Sequence, residues 1–211
     1  MVWEVLNMIG TIAFAISGAI VALEENYDLF GVLVLGLTTA FGGGIIRNLL
    51  IGIPTTVLWE QELLLTTALI VIIVVFILPN SWIWKWKRWG VLLDAMGLSA
   101  FAIQGALFAK SLQHPLGAVM VAALLTGIGG GIIRDLLAGR KPLVLREEVY
   151  ALWALLAGLI IDLGWADIEN PIHLYLLFGL IVLLRMFSVH FNLKLPCRTL
   201  PETDLEERRQ L

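Results

Sequence analysis

Hydrophobic residues run along this chain in long, nearly uninterrupted stretches, without the alternation of a half-buried strand or the single apolar stripe of a surface helix. Stretches close to the roughly 20 residues that cross a bilayer as helix fall at 2–23, 30–51, 58–78, 90–109, 116–138, 144–163 and 173–191. They predict an all-α membrane protein with seven transmembrane helices joined by short polar connections such as EENYD, KSLQHP and GRKP. Basic residues orient the spans. Lys85, Lys87 and Arg88 follow the third span, Arg140, Lys141 and Arg146 the fifth, and Lys194, Arg198, Arg208 and Arg209 the seventh. The connections on the other side carry only Lys110. Because Lys and Arg are retained on the cytoplasmic side, the expectation is a multi-pass cell-membrane protein with its N-terminus outside and its C-terminus in the cytoplasm. Trp82, Trp84, Trp86 and Trp89 fit an interfacial aromatic belt.

The second half repeats the first. GTIAFAISGAIVA (10–22) aligns with GLSAFAIQGALFA (97–109), and FGGGIIRNLLIG (41–52) with IGGGIIRDLLAG (128–139), at an offset of 87 residues. Each copy holds three spans, an odd number, so the two copies must cross the membrane in opposite directions, as an inverted repeat. The organisation expected is a first three-helix repeat at 1–89, a second, inverted one at 90–168, a seventh transmembrane helix at 169–195 and a cytoplasmic tail at 196–211. The first apolar stretch belongs to the repeat and lacks a basic leader, which argues against a cleaved signal peptide.

The glycine runs carry the candidate chemistry. Gly42, Gly43 and Gly44 on the second span and Gly129, Gly130 and Gly131 on the fifth remove side chains from every face of a turn. One reading is close helix packing. The other, and the expected one, is that the second and fifth helices are broken or kinked at these runs, with the freed backbone groups lining a water-filled path at the midplane, as in transporters built from inverted repeats. Arg47 and Arg134 follow three residues after each run. A buried intramembrane Arg costs roughly 2.5–3.5 kcal/mol on insertion scales, so each should line a path, find a partner, or snorkel to an interface. Partners are unequal between the halves: Asn7 and Asn48 correspond to Asp94 and Asp135. Two carboxylates therefore balance Arg134 and leave Arg47 the less compensated cation. Asp94 is the expected partner of Arg134, because a sequence neighbour such as Asp135 points elsewhere on a helix. Thr38, Thr39 and Thr126, with Ser17 and its counterpart Gln104, could replace part of an ion's hydration shell, or bond their own helices.

Composition removes other classes. Of 211 residues, 59% are hydrophobic and 15% charged, with a net charge of −3, so a soluble domain and a nucleic-acid partner are both excluded. One cysteine, Cys197, allows no intrachain disulfide. His114, His173 and His190 have no ligand spacing, and no catalytic motif occurs, so neither a metal, a cofactor nor an enzyme is expected.

On these repeated segments the chain resembles prokaryotic members of the trimeric intracellular cation channel family, which overlaps a duplicated membrane domain labelled bacterial glycine transporter. The resemblance implies a homotrimer in a lipid membrane with one pore per protomer. It further implies kinks at the two glycine runs, basic pore positions at Arg47 and Arg134, and conduction of potassium or other monovalent cations. Asn7 and Asn48 depart from the family pattern, which usually has Asp there. The competing readings are a secondary transporter for glycine or a similar zwitterion, whose carboxylate would suit a helix N-terminus and an arginine, and a trimeric membrane scaffold.

Overall fold

A computed structural model of the chain describes residues 2–79, 81, 89–146 and 149–196. Trp82, Trp84, Trp86, the basic residues 85, 87 and 88, and the tail from 197 onward lie outside the described residues. Among those described, every regular element is helical: α1 (Val2–Glu24), α2 (Leu29–Ile51), α3 (Glu62–Ile77), α4 (Gly90–Ser111), α5 (Leu116–Leu137), α6 (Tyr150–Asp162) and α7 (Pro171–His190). A 3₁₀ turn at Thr55–Leu58 and a single helical turn at Leu143–Arg146 precede α3 and α6.

Five of these helices, α1, α2, α4, α5 and α7, are long and apolar enough to cross a membrane. The other two are apolar but short, with 16 residues in α3 and 13 in α6. The third and sixth spans therefore start later than their apolar runs suggest. Each expected run crosses polar residues near its start, Glu60, Gln61 and Glu62 before α3 and Arg146, Glu147 and Glu148 before α6, and the helices begin only at or after them.

Local chemistry sets the helix ends. The Asp28 carboxylate accepts the N–H of Gly31 at 2.8 Å and starts α2. Asn170 accepts from Ile172 at 3.0 Å ahead of Pro171, the first residue of α7. Gly52, at φ 75°, closes α2 in the left-handed conformation, and Gly139, at φ 70°, follows α5. Asn26 and Gln113 share φ 58° in the turns after α1 and α4. Both pairs keep the 87-residue offset, so the repeat extends through its loops.

Helix α1 packs on α2, α3 and α4; α5 packs on α2, α4 and α6; α7 closes over α4 and α6. At the centre Phe14 and Phe101 meet edge to face, 5.2 Å between centroids. The interior is polar beside this pair: Asn7, Thr11, Ser17, Arg47, Asp94, Gln104 and Arg134 are all buried. The exterior is apolar, with Leu63, Ile70 and Ile77 of α3 and Leu176 and Leu183 of α7 exposed. A water-soluble protein has the opposite arrangement. The molecule is a multi-pass membrane protein whose outer face meets lipid.

The second and fifth helices are not broken. Hydrogen-bonded α-helix runs continuously through Gly42–Gly44 in α2 and Gly129–Gly131 in α5. The glycines serve contact between backbones instead. A Cβ on Gly43 would sit 2.5 Å from the Thr126 carbonyl oxygen, and one on Gly130 would sit 2.0 Å from that of Thr39. Neither position has room for a methyl group, so α2 and α5 cross with their main chains touching. The same reciprocity recurs nearby. Gly10 abuts the Phe101 ring and Gly97 the Phe14 ring; Gly18 abuts the Thr39 hydroxyl and Gly105 the Thr126 hydroxyl.

Candidate functional site

Two buried polar clusters flank the glycine crossing, one for each arginine. Arg134, on the last turns of α5, is 4% exposed. Its Nε donates to Asp135 Oδ1 at 2.8 Å and its Nη1 to Ser17 Oγ at 2.7 Å. Nη2 lies 2.8 Å from the same Asp135 oxygen, and Nη1 lies 3.3 Å from Asp94 Oδ1. Asp135 is thus the nearer partner and Asp94 the more distant one, contrary to the expectation that sequence neighbours diverge. The guanidinium is long enough to fold back beside its own backbone. Asp135 is also held on its far side, where Oδ2 accepts the N–H of Leu143 at 3.0 Å.

Beside this cluster a cavity of about 450 Å³ is lined by Glu24, Asp94, Arg134, Arg140, Lys141 and Arg185. Arg140 clamps the end of α1, with Nη2 2.8 Å from Glu24 Oε2 and Nε 2.6 Å from Glu25 Oε1. Arg185 and Tyr150 were not among the sequence-derived candidates. The Arg185 guanidinium lies 4.3 Å above the Tyr150 ring and is buried. The signal for Arg185 was present in LLRMF, an arginine inside an apolar span, and the rule that singled out Arg47 and Arg134 applies to it equally. Tyr150 left no comparable trace.

Arg47 occupies the equivalent place in the first half with different company. Its Nε and Nη2 both donate to Asn48 Oδ1, at 3.0 and 2.7 Å. The guanidinium stacks 4.2 Å from the centre of the Phe108 ring. Arg47 is 2% exposed, and among the described residues no carboxylate pairs with it. A cavity of about 30 Å³ adjoins it, lined by Asn7, Thr11, Asn48, Gln104 and Thr126. Gln104 Nε2 donates across this space to Asn7 Oδ1. Phe108 also lines a wider vestibule of about 840 Å³, with Trp3, Lys110 and Glu169.

The threonines hydrogen-bond within their own helices. Thr39 donates to Leu35 O and Thr126 to Ala122 O, both at 2.6 Å, while Thr38 donates to Val34 O at 2.8 Å. Of the three, Thr126 lines the Arg47 cavity. Ser17 and Gln104 each sit at a cluster, Ser17 on Arg134 and Gln104 on Asn7.

A polar interior around two buried arginines, an apolar exterior and halves that exchange equivalent contacts define the class: a duplicated, all-helical membrane protein with polar cavities at its core. A family model described as glycine transporter matches residues 4–80 and, a second time, residues 91–165, so the chain belongs to that family. It is 60% identical over 199 residues to the UPF0126 membrane protein YvgT of Bacillus subtilis (strain 168), covering 94% of this chain and 98% of that one. It superposes on a solved structure of TRIC cation channels with TM-score 0.83 and 34% identity, covering 95% of this chain and 99% of that chain. A prokaryotic TRIC channel crystallised in 0.5 M KCl matches with TM-score 0.79 and 39% identity, over 92% and 99%.

Proposed function

We propose that the protein is a cation channel, selective for potassium and similar monovalent ions, that assembles as a homotrimer with one path per protomer. The observation that carries this reading is the pair of polar cavities opening on either side of the α2–α5 crossing, each centred on a buried arginine. The likeness to TRIC cation channels over nearly the whole chain supports it. The reciprocal contacts of Gly10 with Phe101 and Gly97 with Phe14 support an inverted repeat, because such exchange is what a two-fold axis produces. Seven spans put the termini on opposite sides, and the distribution of Lys and Arg supports an outside N-terminus and a cytoplasmic C-terminus. In this conformation the path is closed where Gly43 and Gly130 hold α2 against α5. Conduction requires the crossing or its flanking side chains to move, and Arg47 and Arg134 set the electrostatic barrier on the two sides.

The test is the reversal potential of the purified protein in a planar bilayer under a KCl gradient. The expected value lies near the potassium equilibrium potential. Substituting leucine at both Arg47 and Arg134 removes the electrostatic barrier and should change the conductance and the reversal potential measured under the same gradient. A second reading, a carrier for glycine, is favoured by the description of the matching family. It predicts electrical silence together with uptake of labelled glycine into proteoliposomes.

A further inference from the structure

The two arginines have identical places in their repeats and different electrical needs. Arginine stays protonated in proteins, and a buried charge without a counter-charge is strongly unfavourable. Arg134 has Asp135 and Asp94 at 2.8 and 3.3 Å. At the equivalent positions Arg47 has Asn48 and Asn7, which are neutral. Its Nη1 is buried without a hydrogen-bond partner among the described residues, and the adjoining cavity of about 30 Å³ holds something the size of one water. The two asparagines present mainly donors to that space. Asn48 Oδ1 is taken by Arg47, and Asn7 Oδ1 by Gln104, so the N–H groups are what remain.

The Thr11 hydroxyl and the Gln104 carboxamide, which can donate or accept, complete the polar lining, but its one charge is the uncompensated guanidinium, and that suits an anion. We propose that this cavity binds one small monovalent anion, a halide, as the exchangeable counter-charge of Arg47. It takes the place that the fixed carboxylates occupy in the second half. A halide, a single atom, matches a one-water space, whereas glycine, with five heavy atoms, does not fit it. The ion would also cancel a positive charge next to Phe108, which lines the wider vestibule.

The test uses the full-length protein in detergent, with chloride or bromide titrated against gluconate at constant ionic strength. Thermal stability should rise saturably, by about 5 °C or more once the halide reaches a hundredfold excess over its Kd. Asn48→Asp supplies the missing carboxylate. It should abolish the halide response and make the protein in gluconate as stable as the unsubstituted protein in chloride. Asn7→Asp is the second variant should Asn48→Asp fail to elute as the native assembly. Crystals grown in bromide should show an anomalous peak within hydrogen-bond reach of Arg47 Nη1, a readout that needs no variant. A flat titration of the unsubstituted protein, a halide response undiminished in the carboxylate variant, or a cavity without anomalous signal would each overturn the proposal in favour of water.

Discussion

Asp135 is gripped on two sides, by the Arg134 guanidinium and by the N–H of Leu143, whereas Asp94 makes a single longer contact to the same arginine. Removing one partner of a buried ion pair leaves the other charge uncompensated and costs about 3–5 kcal/mol. Asp135→Asn should therefore lower stability by about that amount. Asp94→Asn should cost less, because Asp135 still neutralises Arg134. Denaturation midpoints of the two variants in one detergent check the order, and equal losses would mean that the carboxylates share the charge evenly. The sequence showed that Arg134 had acids available. It did not show which was nearer, because the reach of a guanidinium depends on rotamer and on where the helix ends, neither of which is visible in residue spacing.

The glycine runs belong to the scale of helices, where their individual members differ. A methyl group on Gly43 or Gly130 would press into a carbonyl of the opposite helix. Forced overpacking of this kind costs typically 1–3 kcal/mol. Gly44 faces only the Arg47 Nη2 atom at 3.8 Å, and Gly131 has nothing closer than 3.9 Å. Gly44→Ala should be neutral or gain about 0.5–1 kcal/mol from helix propensity, while Gly43→Ala destabilises. Melting temperatures of the two single variants test this directly, and unwinding at the run would instead make both substitutions unfavourable. The position and pairing of the runs were legible because a repeated GGGxxR stands out in any sequence. The continuity of the helices was not. Three glycines are equally compatible with an unwound turn and with a close crossing, and only the opposing carbonyls of Thr39 and Thr126 decide between them. The short α3 and α6 were legible in principle: Glu60, Gln61 and Glu62, and Arg146, Glu147 and Glu148, mark where each apolar run is interrupted before its helix starts.

For the whole molecule, the two ends differ in charge, and that difference predicts which of them faces the cytoplasm. One end carries the Arg140, Glu24 and Glu25 cluster beside the cavity of about 450 Å³; the other carries the vestibule of about 840 Å³ around Trp3 and Lys110. The excess of Lys and Arg near the first end predicts that it faces the cytoplasm, which would put Arg134 on the cytoplasmic half of the path and Arg47 on the outer half. Cys197, the single cysteine, lies beyond α7 and should be cytoplasmic. A membrane-impermeant maleimide should leave it unlabelled in intact cells and label it after permeabilisation. In a Cys197→Ser background, a cysteine in place of Trp165, which is 71% exposed in the α6–α7 connection, should react without permeabilisation. The reverse pattern would turn the molecule over. The uncompensated Arg47 would then face the cytoplasm, and an anion beside it would be drawn from cytoplasmic chloride, so the side on which halide acts in reconstituted vesicles must follow the labelling result.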